Sequence, residues 1–247
     1  MSKIVLKAGK ERSLYRLHPW VFSGAIAKKD NDIQEGDVVK VYDHDNEFLA
    51  VGHYQIGRIA VRVLSYKEET IDYPFCVERI RQAYHTRIAI GLATASNNNV
   101  FRLVHGEGDD LSGLIVDYYA GVAVVQFHTV GMYKAREEIT KALLEVMGDK
   151  ITAIYDKSEG TLPYKAGLNP ENGYLYGHTD NFIATENGLK FNVDWLEGQK
   201  TGFFIDQREN RSLLEQYSQG KNVLNMFCYT GGFSFYAMRG GAKLVHS

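Results

Sequence analysis

The residues best placed to do chemistry are two adjacent glycines near the end of the chain, Gly231 and Gly232. They follow the apolar segment VLNMF (223–227) and precede a second apolar segment, FSFYAM (233–238). A strand that enters a glycine turn and then a helix leaves backbone amides free, and the absent Cβ lets a ligand approach the main chain. The pattern predicts a nucleotide-like cofactor site. The lack of a full G-x-G-x-x-G or P-loop sequence argues against a dinucleotide dehydrogenase or a P-loop enzyme.

A second group of reactive side chains lies in HGEGDD (105–110), which holds one histidine and three acidic residues. Such residues can hold a metal ion, but glycines between two apolar strands are more typical of a tight turn. The two cysteines, Cys76 and Cys228, are far apart and lie outside any C-x-x-C spacing. We therefore predict neither a metal site nor a disulfide.

Length and composition indicate a globular chain of one or two domains. It has 247 residues, of which 45% are hydrophobic and 23% charged, an ordinary balance for a protein with a sizeable core. No stretch reaches the roughly 18 uninterrupted apolar residues of a membrane span, and no apolar leader is present. We expect a cytoplasmic protein without a membrane partner.

Charge is distributed unevenly along the chain. The net charge is -2, whereas the first 29 residues carry seven Lys or Arg and one Glu. The overall balance argues against coating of nucleic acid by bulk electrostatics, but a basic N-terminal face is compatible with a polyanionic partner. A solvated charged surface explains the same residues equally well.

The elements that must position these residues begin with a β-rich segment and continue with an α+β layer. Strands are predicted at 3–7, 38–42, 48–54 and 59–64, before a polar joint near residue 70. A helix is predicted over 75–95 from the spacing of its apolar residues, followed by strands at 101–104, 113–119, 122–128 and 151–157 and a helix over 132–147.

A hairpin and the beginning of a parallel sheet are predicted for the last part of the chain. Asn187-Gly188 separates the strands 182–186 and 189–195 and favours a type I′ turn. Asp206 and Glu209 form a capping-box pattern for a helix. The terminal run GGAKLVHS then predicts a second parallel strand. We expect this Rossmann-like unit to be cut short.

Three segments together point to a known family: EGQKTGFFIDQRENR (197–211), VLNMFCYTGGFSFYAMRGGA (223–242) and LHPWVFSGAI (17–26). The chain resembles the S-adenosylmethionine-dependent 23S ribosomal RNA cytosine-5 methyltransferases that carry an N-terminal PUA domain. The resemblance runs nearly end to end. It implies an α/β and α+β multidomain fold: a PUA-like β-rich domain at 1–70, a central α+β domain at 71–180 and an incomplete class-I methyltransferase domain at 181–247.

The resemblance implies S-adenosylmethionine as the cofactor, which needs no phosphate cradle. The residues predicted to bind it are Thr201, Gly202, Phe203, Asp206, Gln207, Arg208, Asn225, Phe227, Tyr229, Thr230, Gly231 and Gly232. The alternative is that Phe203 and Phe227 are core aromatics and Asp206 is a helix cap. Asn225 stands where the family usually has an acidic residue, which weakens any contact to the cofactor's ammonium group.

Methylation at C5 of cytosine needs a thiolate that adds to C6 of the base. Cys228 lies in the glycine turn, where the resemblance implies a packing role, and the family's nucleophilic cysteine falls beyond Ser247. We therefore expect no catalytic residue within 1–247 and an inactive chain.

The resemblance also implies that the β-rich domain binds RNA. The candidate residues are Arg12, Arg16, His18, Trp20 and Lys28, which offer charge for phosphates and a flat ring for stacking. Trp20 could instead fill the small core of the domain.

The leading hypothesis is methyl transfer from S-adenosylmethionine to C5 of a cytosine in large-subunit ribosomal RNA. Two alternatives stay open from the sequence: a non-catalytic RNA-binding module, and a class-I methyltransferase that acts on a different RNA base. The oligomeric state also stays open, with a homodimer among the options.

Overall fold

Four sheets and six α-helices organise the chain in the computed structural model, which describes residues 2–162 and 167–247. The strands are β1 (Ser2–Leu6), β2 (Trp20–Phe22), β3 (Ile26–Lys29), β4 (Val38–Tyr42), β5 (Phe48–Tyr54), β6 (Ile59–Ser65), β7 (Val100–His105), β8 (Leu114–Tyr119), β9 (Val122–Phe127), β10 (Ala153–Asp156), β11 (Gly173–Gly177), β12 (Ile183–Glu186), β13 (Leu189–Asn192), β14 (Asn222–Leu224) and β15 (Leu244–His246). The helices are α1 (Arg12–Tyr15), α2 (Tyr73–Ala89), α3 (Val130–Lys134), α4 (Arg136–Met147), α5 (Arg208–Tyr217) and α6 (Gly232–Arg239).

The N-terminal sheet has the strand order β2-β6-β5-β4-β1-β3. Strands β2 and β3 lie at opposite ends of this order, although only residues 23–25 connect them. Three residues span about 10 Å at most, so the sheet must curl until its two edges come close together. Alternate side chains such as Val39 and Val41 fill the interior, which is the period-two pattern that predicted the strands.

The second sheet has the order β11-β10-β9-β8-β7, and helices α2 and α4 cover one of its faces. Helix α2 begins where the Asp72 side chain accepts a hydrogen bond from the backbone NH of Phe75. The predicted helix over 75–95 is too long: α2 ends at Ala89, and Gly91 follows at φ +78°. The predicted helix over 132–147 is two helices, α3 and α4, which meet at Ala135.

The opposite face of this sheet packs against the β12–β13 hairpin and the residues that follow it. Their shared core includes Tyr119 from the sheet, Phe191 and Trp195 from the hairpin region, and Tyr236 from α6. The turn dipeptide Asn187-Gly188 has φ values of +50° and +80°, as a type I′ turn requires. The hairpin therefore joins the central sheet to the C-terminal elements.

The C-terminal elements form a βαβ unit. Strands β14 and β15 are parallel, and α6 crosses between them, as predicted. The predicted capping box is wrong: Asp206 lies in a 3₁₀ turn (205–207), and α5 begins at Arg208 without a side-chain cap. Strand β14 ends at Leu224, so Asn225 to Phe227 belong to the turn that follows it.

Candidate cofactor cleft and N-terminal face

A cleft of about 560 Å³ opens at the carboxyl end of β14, between the turn 225–232 and α5. Carboxyl ends of parallel strands are where α/β sheets bind ligands. Phe204, Leu214 and Phe233 give the cleft an apolar wall. Six predicted cofactor residues line it: Gln207, Asn225, Phe227, Tyr229, Thr230 and Gly232.

The turn that borders the cleft has an unusual backbone. Phe227 and Tyr229 have φ values of +59° and +49°, a region that residues with a Cβ seldom occupy. Gly231 follows at φ +75°, and its NH donates to the carbonyl of Cys228 at 2.7 Å. The rings of Phe227 and Tyr229 are 82% and 63% exposed. Backbone strain combined with exposed aromatic rings is typical of a turn shaped for a ligand.

Asn225 connects this turn to its neighbours. Its backbone NH donates to the carbonyl of His246 at 2.8 Å, and its side-chain amide donates to Ser234 Oγ at 2.8 Å. The side chain thus holds the cleft border to α6. It offers the cleft no negative charge.

Three predicted cofactor residues, Thr201, Gly202 and Phe203, are buried behind the cleft. Thr201 Oγ1 donates to a carboxylate oxygen of Asp117 at 2.6 Å. Gly202 lies against the backbone of Asp194, where a Cβ would come within 2.7 Å of the carbonyl oxygen. Phe203 is 4% exposed and belongs to the core shared with the hairpin. The structure gives these residues packing positions.

Asp206 and Arg208 also lie away from the cleft. Asp206 is exposed on a separate groove, together with Arg102 and His105. Arg208 is buried, where its Nε donates to Glu186 at 3.2 Å and its Nη2 donates to the carbonyl of Val100. Neither residue is placed to touch a ligand in the cleft.

A charged cluster at the floor of the cleft was missed by the sequence reasoning. Arg211 donates from Nε and Nη2 to the carboxylate of Glu186, both at 2.8 Å, and from Nη1 to the carbonyl of Phe204 at 3.0 Å. Burial, followed by the charge of Glu186, raises the pKa of Tyr236 to about 12, so its hydroxyl is a donor to that carboxylate. The only local signal was Arg208 and Arg211 on one helix face, three residues apart.

The two cysteines occupy different environments. Cys228 is half-buried and lines the cleft from within the turn. Cys76 lies on the buried face of α2, and burial raises its pKa to about 11. A thiol with so high a pKa is a poor nucleophile near neutral pH.

The acidic residues of HGEGDD are engaged in ion pairs, one of which reaches the N-terminal sheet. Glu107 pairs with Arg62 and Asp109 with Arg87, and Asp110 pairs with an arginine of α2. A different group in the described part of the chain, at residues 43–45, has ligand atoms within 4.8 Å of one another. Backbone amides of residues 45 and 47 already use one of its carboxylates.

On the N-terminal domain, Arg12, Arg16, His18 and Lys28 are exposed. Trp20 is half-buried, and its indole Nε1 donates to Glu107 Oε1 at 2.8 Å. The side chains of these four exposed residues, Arg12, Arg16, His18 and Lys28, are accessible to a partner. Trp20 connects the N-terminal domain to the central unit.

Fold and cleft together define a β-rich N-terminal domain followed by an α/β cofactor-binding unit. Residues 4–66 match the PUA-like domain family, and residues 101–247 match the S-adenosylmethionine-dependent methyltransferase family. The second match covers more than half of the chain, so the protein belongs to the S-adenosylmethionine-dependent methyltransferases. The predicted fold class and cofactor family are confirmed.

Relatives with curated names agree with this assignment. The chain is 40% identical over 249 residues to "Ribosomal RNA large subunit methyltransferase I" of Aeromonas hydrophila, and 40% identical over 248 residues to the protein of that name from Pseudoalteromonas translucida. Each match covers 99% of the chain and 62% of the relative. The chain thus spans about three-fifths of the length of these relatives.

Solved structures give the same result. A Streptococcus mutans protein assigned as a SAM-dependent methyltransferase matches with a TM-score of 0.84 and 25% identity. A methyltransferase solved in complex with SAH matches with the same values, and each match covers 99% of this chain and 62% of the other. Within the described residues, no helix has both the length and the apolar character to cross a membrane.

Proposed function

We propose that this chain carries the RNA-recognition and cofactor-binding parts of an enzyme that methylates C5 of a cytosine in large-subunit ribosomal RNA. The observation that carries the proposal is the cleft at the carboxyl end of β14, in a chain of the S-adenosylmethionine-dependent methyltransferase family. The relatives' names support ribosomal RNA as the substrate. The choice of C5 of cytosine rests on the family resemblance.

The residues of the cleft fit S-adenosylmethionine. Gly232 leaves space that a side chain would fill, because a Cβ there would lie 3.0 Å from Arg211 Cδ. Phe204 and Tyr229 pack against each other with ring centroids 5.2 Å apart and together offer an apolar surface on which the adenosine can lie. The amides of the turn can receive the amino-acid end. When bound, the cofactor supplies an electrophilic methyl group.

Cys228 is assigned a packing role. It lies within the turn that borders the cofactor, so its thiol occupies a wall of the cleft, whereas an attacking group must lie beside the target base. Exposed basic side chains of the PUA-like domain, Arg12 and Arg16 among them, are assigned to RNA phosphates.

Two measurements test the proposal. Isothermal titration calorimetry of the chain with S-adenosylhomocysteine, with NAD and ATP as control nucleotides, is expected to show saturable binding of the first alone. Nucleoside mass spectrometry of large-subunit ribosomal RNA from a strain that lacks the gene is expected to show less 5-methylcytidine. Loss of another methylated nucleoside instead would identify a different base, and unchanged RNA would contradict the assigned substrate.

A further inference from the structure

Arg211 is the one formally charged side chain among the described residues that line the cleft. It is 2% exposed and lies over the ring of Phe203, with 4.6 Å between the guanidinium carbon and the ring centroid. A buried guanidinium is costly unless its charge is balanced. Its position at the floor of a ligand cleft therefore requires an explanation.

The charge of Arg211 is only partly balanced within the protein. Glu186, which is fully buried, is shared between Arg211 and Arg208. Tyr236 adds a neutral hydroxyl to the same carboxylate. Two guanidinium groups on one carboxylate leave a net charge of +1 in a buried cluster. No second carboxylate pairs with either arginine in the described part of the chain.

The beginning of α6 adds to this positive character. Arg211 Nη1 lies 3.7 Å from the point where a Cβ on Gly232 would stand. Helix α6 begins at Gly232 without a side-chain cap, so its first amides are available to a ligand. An arginine and a helix N-terminus both favour a negative group. Meanwhile Asn225 supplies no carboxylate for a cation.

We propose that Arg211, together with the first amides of α6, binds the α-carboxylate of the cofactor, and that Glu186 holds the guanidinium in place for it. The assignment rests on the proposed cofactor site and names the part of the ligand that this site recognises. It makes the carboxylate, rather than the ammonium group, the charged end that this cleft selects. The carboxylate would complete the charge balance of the cluster.

The test compares two ligands that differ at this end. S-adenosylhomocysteine has the amino-acid group, whereas 5′-methylthioadenosine keeps the nucleoside and the thioether but lacks the carboxylate. Calorimetry of the full chain should show that Arg211→Met lowers the affinity for S-adenosylhomocysteine by about tenfold or more, because charge-assisted hydrogen bonds are strong. The affinity for 5′-methylthioadenosine should stay within about twofold. Arg211→Lys should give an intermediate loss and serves if the Met variant does not fold.

Arg239→Met is the matched control, since Arg239 is bound bidentately by Glu215 on the same pair of helices but lies outside the cleft. It should leave both affinities unchanged. Equal losses for both ligands in the Arg211 variants would overturn the carboxylate assignment, because they would indicate a change in cleft shape alone. Unchanged affinities would overturn it as well. Failure of the unaltered chain to bind either ligand would overturn the proposed cofactor site together with this assignment.

Discussion

Thr201 shows how a residue inside a cofactor-associated motif can serve the scaffold instead. Its hydroxyl donates to Asp117, whose side chain is fully buried, and lies 2.9 Å from the hydroxyl of Tyr119. Arg102 binds the same carboxylate through two hydrogen bonds of 2.8 and 3.0 Å. Through these hydrogen bonds, Thr201 connects the segment 197–211 to β8 of the central sheet.

Thr201→Val is expected to lower the free energy of unfolding by about 1–3 kcal/mol, because it removes a hydroxyl from buried polar partners while keeping the volume. Urea denaturation measures this, and titration with S-adenosylhomocysteine should give an unchanged affinity. A large loss of affinity for S-adenosylhomocysteine with an unchanged free energy of unfolding would indicate that Thr201 contributes to the cofactor site after all.

Arg12 and Arg16 are the residues through which the PUA-like domain can most simply meet RNA phosphates, because both are exposed. Arg12→Ala with Arg16→Ala should weaken binding of a large-subunit ribosomal RNA fragment in gel-shift titrations. The slope of log affinity against log salt should fall by about one for each lost phosphate contact. The control is Lys190→Ala, which removes an exposed cation on the hairpin. An equal loss of RNA affinity in this variant would contradict the assignment of the N-terminal face to RNA binding.

Sequence reasoning succeeded for residues whose role is set by near neighbours. Asn187-Gly188 determines its own turn, and six of the predicted cofactor residues do line the cleft. It could not find the Glu186–Arg211 pair, because the two residues are 25 positions apart and meet only when the hairpin packs on α5. It misplaced Arg208 for the same reason, since its carboxylate partner lies in another element.

The contact between β5 and α3 is built around a close approach of His53 and Gly131. A Cβ on Gly131 would collide with the His53 ring, and Lys134 Nζ reaches back to the carbonyl of Glu35 at 2.6 Å. His53 is 5% exposed, and its Nδ1 finds no hydrogen-bond partner among the described residues. Burial, and then the charge of Lys134, lowers its pKa to about 4.

This contact should make folding sensitive to acid. The folded-state pKa of His53 lies below the ordinary value of 6.5, so the unfolded chain binds the proton more tightly. His53 makes its full contribution to the free energy of unfolding above about pH 6.5. This contribution falls as the pH drops toward 4, by about 3 kcal/mol in total. Urea denaturation of the unaltered chain and of His53→Asn at pH 7 and pH 4.5 measures the difference.

The variant should lose less stability over this interval than the unaltered chain does. His44→Asn, at an exposed position, should behave as the unaltered chain. Parallel pH dependences for the unaltered chain and His53→Asn would mean that the ring does not titrate across this range.

Helix and strand ends were the least predictable features at the level of elements. The apolar spacing that predicted this helix ends at Ile88, within α2, so it gave no signal for the helix end, and the exposed Ile90 lies beyond Ala89, the last residue of α2. The predicted Asp206–Glu209 capping box does not form: Asp206 lies in the 3₁₀ turn before α5, and Arg208, the first residue of α5, is buried against Glu186. Strands β4 and β5 were predicted to the residue; β4 alternates buried and half-buried residues, whereas the five central residues of β5 are all buried.

Across the whole molecule, the PUA-like domain and the central unit share a polar joint centred on Glu107. Trp20 Nε1, Arg62 Nη1 and Ser112 Oγ donate to the same carboxylate oxygen, at 2.8, 3.2 and 2.7 Å. Trp20 and Arg62 belong to the N-terminal sheet, whereas Ser112 follows β7. Burial alone would raise the pKa of Glu107, but these hydrogen bonds and the charge of Arg62 lower it.

A joint of this kind holds the N-terminal face that we propose to bind RNA at a fixed distance from the cofactor cleft, so its loss should loosen the contact between the two parts of the chain. Glu107→Ala removes the shared acceptor and leaves the Trp20 indole and the Arg62 guanidinium without their partner. For Glu107→Ala we expect a larger radius of gyration in small-angle X-ray scattering and two calorimetric unfolding transitions, whereas we expect one transition for the unaltered chain. The control is Glu68→Ala, which breaks the exposed Lys40–Glu68 pair and leaves the joint intact. A compact variant with one transition would show that the joint at Glu107 is not required to hold the two parts together.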